Sequence, residues 1–249
     1  MENKWRQIEG KNPIWEALKA DNKISRIVID ENLSKDVKTR EILSLAAAAK
    51  IPISKVGWKS LKRLSQTQTH QGIIALAEPL NFTSLPDVLK RCQKENKDPL
   101  LVILPKVLYE YNLGAIIRTG EAAGIDCLII NKKNRLGPSV GRSSMGALEY
   151  LPIASENLFS ALNLLKREGI KIVAAQMQAK LNYFEADLSG PLALVVGSED
   201  KGISPILAKN IDENVRIPMR GRMTSLNMSV ATGILLYEAV RQRLVKNNR

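Results

Sequence analysis

Short apolar runs alternate with amphipathic stretches along most of the chain. In the first 80 residues Arg26–Asp30 (RIVID), Ile51–Val56 and Gly72–Ala77 (GIIALA) have the composition of strands, and Asp36–Lys50 has helical periodicity, which predicts a small α/β unit. Between Glu78 and Pro99 the chain turns polar, with Pro79, Pro86 and the run Lys90–Asp98, so a linker with one short helix and few crossing contacts is expected. A second alternation begins at Leu100. It runs through LLVIL (Leu100–Leu104), a helix after Asn112, DCLII (Asp126–Ile130), a helix over Ser155–Glu168, IKIVAA (Ile170–Ala175) and LALVV (Leu192–Val196). Strands that are apolar throughout and separated by helices predict a parallel sheet covered on both faces. A last helix is expected from Ser225 to about Val245, with Val230, Ile234 and Tyr237 on one stripe and Ala231 and Leu235 beside it. Its end carries Arg241, Arg243 and Lys246, cations suited to the negative end of the helix dipole. The pattern therefore divides the chain into an N-terminal domain over 1–79, a linker over 80–98 and a larger domain over 99–249.

Composition narrows the function. The 249 residues, 45% of them hydrophobic, suffice for two cores. No apolar run approaches the roughly 18 to 20 residues that span a bilayer, and Met1–Lys11 is charged rather than signal-like, so a soluble, cytoplasmic protein without a membrane partner is expected. Cys92, Cys127 and the single His70 show no metal-ligand spacing, so reduced thiols and no metal are expected. The formal net charge of +12 and a pI near 9.7 suit a polyanionic partner, because basic side chains release the counterions of a phosphate backbone. Aromatics make up only 4% of residues, which argues against a long base-stacking platform and for recognition through shape and phosphate.

A parallel sheet binds ligands beyond the carboxyl ends of its strands, which directs attention to the loops after Leu104, Val196 and Ile217. None contains GxGxxG or GxxxxGK[ST], so neither a dinucleotide fold of the dehydrogenase type nor a P-loop is supported. The first segment, Asn112-Leu-Gly-Ala-Ile-Ile-Arg118, opens a helix that Asn112 can cap, with Gly114 permitting close backbone approach. Arg118 reads either as a salt-bridged helix arginine or as a bidentate phosphate or ribose contact. The second, Gly197-Ser198-Glu199-Asp-Lys-Gly202, breaks a buried strand into a polar turn where amides face outward and Glu199 can accept hydrogen bonds. The third, Arg216-Ile217-Pro218-Met219-Arg220-Gly221-Arg222-Met223-Thr224-Ser225-Leu226-Asn227, brings three arginines and then hydroxyl and amide groups to the start of an apolar helix. Capping accounts for Ser225 and Asn227 but not for the arginine-rich loop before them.

These three segments, in order and spacing, resemble motifs 1, 2 and 3 of the SpoU (TrmH-type) RNA 2'-O-ribose methyltransferases of the SPOUT superfamily. The resemblance covers roughly Leu100–Arg243 and is most specific in IPM followed by SLNMSVATGILLYEA. IEGKNPIWEAL (Ile8–Leu18) and THQGIIA (Thr69–Ala75) are similar to the substrate-binding domain that many such enzymes carry, itself like RNA-binding ribosomal proteins in fold. The two-domain arrangement is most similar to the bacterial enzymes that methylate a guanosine ribose in 23S ribosomal RNA.

The resemblance implies an α/β domain with a deep trefoil knot, S-adenosylmethionine as cofactor, ribosomal RNA as partner in preference to tRNA, and a homodimer. It implies that Gly197, Ile217 and Leu226 hold the adenosine part of the cofactor through backbone groups, with Ser198, Met219 and Ser225 nearby. Arg118 takes the catalytic arginine's place, and Asn112, Glu199 and Asn227 shape the site. An arginine pKa above about 12 leaves little neutral base at pH 7, so a phosphate clamp suits Arg118 better than proton removal. One departure stands out: Tyr109-Glu110-Tyr111 precede Asn112 where the family usually has an acid and a proline. The alternatives are a tRNA 2'-O-methyltransferase of the same family and a non-catalytic RNA-binding protein of ribosome assembly.

Overall fold

The computed structural model describes residues 5–67, 69–132, 134, 136–198 and 202–247. The chain forms two compact units, one of Met1–Asn81, Leu113–Arg118 and Arg135–Tyr150, the other of Phe82–Asn112, Thr119–Asn134 and Leu151–Arg249.

The first unit is built on β1 (Arg6–Glu9), α1 (Lys11–Lys19), β2 (Ile24–Asp30), α2 (Val37–Ala48), β3 (Ile53–Val56), α3 (Trp58–Leu64) and β4 (Ile73–Ala77). Its sheet has the order β1-β4-β2-β3, antiparallel except for the parallel pair β2–β3. Ile14, Ile27, Ile42 and Ile73 fill the core. Asp36 caps α2, its carboxylate accepting from Thr39 N at 2.8 Å. Glu9, almost fully buried, ties down the turn after α3: its carboxylate accepts from Ser65 Oγ at 2.8 Å, Gln66 N at 2.6 Å and the Thr67 hydroxyl. His70 is buried here too, its ring 4.6 Å from that of Trp58 and its Nδ1 accepting from Gly72 N at 3.1 Å.

The remaining elements are α4 (Leu85–Lys94), β5 (Leu100–Leu104), α5 (Glu110–Ala122), β6 (Cys127–Asn131), α6 (Pro138–Ser143), β7 (Ile153–Glu156), α7 (Leu158–Arg167), β8 (Lys171–Ala175), β9 (Leu181–Asn182), β10 (Leu192–Val196), α8 (Pro205–Ala208), β11 (Glu213–Arg216) and α9 (Met228–Asn247). Seven strands form one sheet in the order β7-β6-β5-β10-β8-β11-β9, with every pairing parallel. Leu192–Val196 is buried at every position, as befits a central strand covered on both faces. Both cysteines lie in this core. Burial raises their thiol pKa values, that of Cys127 to about 12.

Several boundaries differ from the sequence expectations for definite reasons. The segment expected to make few contacts contains α4, whose Leu85, Val88 and Cys92 pack into the core of the second unit, and Ser84 caps it. Ser155 and Glu156 belong to β7 rather than to a helix, since Asn157 is the residue that caps α7, accepting from Ser160 N at 3.2 Å. In α9 the buried stripe is Met228, Thr232, Leu235, Leu236 and Ala239, while Val230 and Tyr237 are half exposed. Arg243 does not simply oppose the helix dipole. It donates to the carbonyls of Asp98 (2.8 Å), Pro99 (2.9 Å) and Gly190 (2.6 Å), which precede β5 and β10.

Candidate functional site

β10 lies between β5 and β8, where chain order along the sheet reverses, and crevices at such reversals receive ligands. A cavity of about 520 Å³ opens at the carboxyl ends of β8, β10 and β11, a size typical of small-molecule sites. All six residues expected to bind the cofactor, Gly197, Ser198, Ile217, Met219, Ser225 and Leu226, line it.

Local chemistry explains each wall. After β10 the chain doubles back, with Ser198 N donating to Gly202 O at 3.0 Å and Gly202 N donating to Ser198 O at 2.9 Å. A Cβ on Gly197 would sit 2.8 Å from the carbonyl carbon of Gly202, so only glycine fits this turn, and Gly202 itself has a φ of 61°. After β11, Ile217 and Met219 form a second wall, and Thr224–Leu226 with Met228 and Ala231 at the head of α9 form a third. Val196, Val215, Ile203 and Met228 make an apolar floor, with Gln176, Ser198, Thr224 and Ser225 as polar groups. An apolar lining with a few placed polar groups is that of a small-molecule site. Sequence reasoning missed the wall contributed by Ala175, Gln176 and Met177. The signal was present: IKIVAA is another parallel strand, and its carboxyl end deserved the same scrutiny as the others.

Asn112 and Asn227 meet beside this site. Asn227 Nδ2 donates to Asn112 Oδ1 at 3.1 Å, and Asn112 is buried. Asn227 caps α9, its Oδ1 accepting from Ser229 N at 2.8 Å and its backbone oxygen from Ala231 N at 2.9 Å. Ser225, expected to open that helix, lies before it. Asn112 is not the cap of α5. The helix starts one turn earlier, with Tyr109 at the cap position and Glu110 in the first turn, where a carboxylate favours the helix dipole. Arg118 is exposed on α5 and forms no ion pair among the described residues. Glu199 lies outside the described residues.

Residues 99–237 match the family model described as the SpoU rRNA Methylase family, and residues 7–83 match the one described as RNA 2'-O ribose methyltransferase substrate binding. The chain belongs to the SpoU rRNA methylase family. It is thus an RNA 2'-O-ribose methyltransferase by family, with the family's substrate-binding domain ahead of the methylase domain. Among its relatives, the 23S rRNA (guanosine-2'-O-)-methyltransferase RlmB of Vibrio parahaemolyticus is 36% identical over 216 residues, covering 84% of this chain and 85% of the relative. RlmB of Pseudomonas putida is 33% identical over 227 residues, covering 90% and 91%. Among solved structures, an RNA 2'-O ribose methyltransferase superposes with a TM-score of 0.81 at 30% identity, over 97% of this chain and 90% of that one. The SpoU methyltransferase AviRb of Streptomyces viridochromogenes, in complex with AdoMet, gives 0.80 at 25% identity, over 97% and 92%.

Proposed function

We propose that this SpoU enzyme transfers a methyl group from S-adenosylmethionine to the ribose 2'-hydroxyl of a guanosine in 23S ribosomal RNA, in the cytoplasm and as a homodimer. The carrying observation is the gathering of Gly197, Ser198, Ile217, Met219, Ser225 and Leu226 around one cavity at the sheet's point of reversal. The RlmB relatives, similar over most of both chains, and the N-terminal match favour ribosomal RNA over tRNA.

S-adenosylmethionine supplies a methyl group carried on a sulfonium. The chain's task is to align the acceptor oxygen with that methyl and to exclude water, since holding two reactants in line supplies much of the acceleration. Backbone groups at Gly197, Ile217 and Leu226 hold the adenosine, with Ser198, Met219 and Ser225 beside it. The Asn112–Asn227 pair fixes the start of α9 against α5. Arg118, with its guanidinium open to solvent, clamps a phosphate of the target nucleotide and stabilises the negative charge that develops on the ribose oxygen. Glu199 completes the catalytic set. The trefoil knot and an N-terminal substrate-binding domain over 1–79 belong to the same reading, whereas 80–98 serves less as a linker than as part of the larger core, through α4. Homodimerisation has a candidate surface in the exposed Val230, Tyr237 and Leu244 of α9, which recur at heptad spacing.

The deciding experiment is transfer of radiolabelled methyl groups to 23S rRNA, 16S rRNA and tRNA from cells lacking the gene. Ribose label in 23S rRNA that disappears with Arg118→Ala supports the assignment, whereas label in tRNA alone overturns it. Arg118→Lys separates geometry from charge: a near-normal rate removes the bidentate clamp. The solution mass should be near twice 27.6 kDa.

A further inference from the structure

A second groove, of about 700 Å³, adjoins the cofactor cavity and shares Met177, Ile217, Met219 and Thr224 with it. It is lined by Asn182 in β9, Phe184 just after that strand, Arg216 at the end of β11 and the loop that follows to Met223. Three arginines, Arg216, Arg220 and Arg222, line it, and no carboxylate does among the described residues. Glu213 pairs with Lys171 at 2.7 Å, and Glu185 accepts from Asn182 N at 2.8 Å. Arg216 Nε donates to Asn182 Oδ1 at 3.1 Å, which orients the guanidinium. Arg220 and Arg222 form no ion pair among the described residues and are exposed. Phe184, 51% exposed, sits edge-on to Tyr183 with ring centroids 5.2 Å apart.

We propose that this groove is a binding site for the RNA strand beside the target nucleotide, with Arg220 and Arg222 on successive phosphates and Phe184 against an unstacked base. Three cations that form no ion pair among the described residues attract a polyanion, which releases counterions as it binds. The aromatic ring adds a sequence-tolerant contact of the kind used for single strands. Continuity with the cofactor cavity places the bound strand where its ribose approaches the methyl donor. The inference rests on the reading of the chain as an RNA methyltransferase and assigns residues that reading does not use.

Three variants test it: Arg220→Gln/Arg222→Gln, Arg220→Lys/Arg222→Lys and Phe184→Leu. Binding of a 23S rRNA fragment is measured by filter retention across a salt series, with S-adenosylmethionine affinity by calorimetry and Tm as a fold control. The Gln pair should weaken RNA binding at least tenfold and flatten the plot of log K against log salt by about 1.4 to 1.8, two phosphate contacts at roughly 0.7 to 0.9 each. The Lys pair should retain the slope. Phe184→Leu should weaken binding roughly five- to hundredfold with the slope unchanged. Cofactor affinity should stay within about twofold in all three. An unaltered salt slope in the Gln pair overturns the proposal, as does a parallel fall in cofactor affinity, which would make the groove an annex of the cofactor cavity. Failure of the underlying reading shows separately, as a wild-type protein that neither binds nor methylates RNA.

Discussion

Asn227 does two jobs with opposite ends of one amide, so they can be separated by substitution. Its Oδ1 caps α9 through Ser229 N at 2.8 Å and Ser229 Oγ at 2.6 Å, while Nδ2 donates to Asn112 Oδ1 at 3.1 Å. Asn227→Ala removes both. Loss of an N-cap costs about 1 kcal/mol. Loss of the bond to Asn112 costs roughly another 1 kcal/mol. A total of about 2 kcal/mol corresponds to a Tm lower by roughly 4 to 8 °C in a protein of this size. Because Met228 and Ala231 at the head of α9 line the proposed cofactor cavity, S-adenosylmethionine affinity should fall as well. Asn227→Asp keeps the capping oxygen and puts negative charge at the positive end of the helix, a gain of about 0.3 to 1 kcal/mol. It also sets an oxygen against Asn112 Oδ1, so Tm should stay within about 2 °C of wild type by near-cancellation of two effects of order 1 kcal/mol. Differential scanning calorimetry reads the stability and radiolabelled methyl transfer reads kcat. If Asp retains both Tm and kcat, the amide link to Asn112 has no positioning role and the site reduces to a helix cap. If Ala leaves Tm untouched, the capping argument is wrong at its base.

Gly197→Ala should lower S-adenosylmethionine affinity at least tenfold by calorimetry, because the new methyl meets the Gly202 backbone at 2.8 Å and the turn must open; unchanged affinity would remove this turn from the cofactor site. Gly114→Ala drives a Cβ into Ser143 Oγ and to 2.7 Å from Val140 O, and should destabilise by about 1 to 3 kcal/mol in urea titration, with an unshifted midpoint the contrary result. At Glu9 burial raises the pKa, but hydrogen bonds from Thr67, Gln66, Ser65 and Gln7 outweigh it and leave it below 4.5. A depressed folded pKa means that the contribution to stability is complete above the unfolded value and fades as pH falls through the folded one, so Glu9→Gln should flatten the loss of stability as pH falls below the ordinary glutamate value; a wild-type profile in the variant would contradict this. Both thiols should resist Ellman's reagent in the native protein and react in denaturant, since Cys92 and Cys127 are buried and shifted upward; fast native reaction would refute the core assignment.

The parts of the fold that sequence exposed best are those in which burial dictates composition. LLVIL and LALVV are strands β5 and β10 with unchanged boundaries, because a central parallel strand is apolar on both faces and few other structures are. Half-buried elements were less legible. Leu85, Val88 and Cys92 of α4 are spaced for one helix face, but Pro86 and the following charges concealed them within a polar segment. In α9 nearly every face carries an apolar residue, so periodicity centred the stripe on Val230, Ile234 and Tyr237 with Leu235 at its margin, whereas packing buries Leu235 together with Met228 and Leu236. The helix starts have a similar cause. Asn112 has the right chemistry for a cap, but a backbone bond from its own N to Tyr109 O puts it inside the first turn and frees its side chain to meet Asn227, a contact across 115 positions that no local pattern encodes.

The candidate site divides along the same line. Gly197 and Gly202 were readable because backbone sterics leave glycine as the residue that fits a doubled-back strand, and the same restriction holds in any sequence that makes the turn. The role of Arg118 was open because a helix arginine pairs with whatever carboxylate tertiary structure brings near, and only the assembled chain decides whether one arrives. Among the described residues none does. An exposed guanidinium left unpaired contributes little to folding, so its substitution should cost activity without stability. Arg243 is the converse: it lies on the helix that closes the chain, and its three carbonyl partners precede two central strands. Removing it should cost stability first and activity only in consequence. Two arginines with the same propensity and the same charge thus belong to different halves of the problem, and what separates them is the supply of partners, which is a property of the fold and not of the segment.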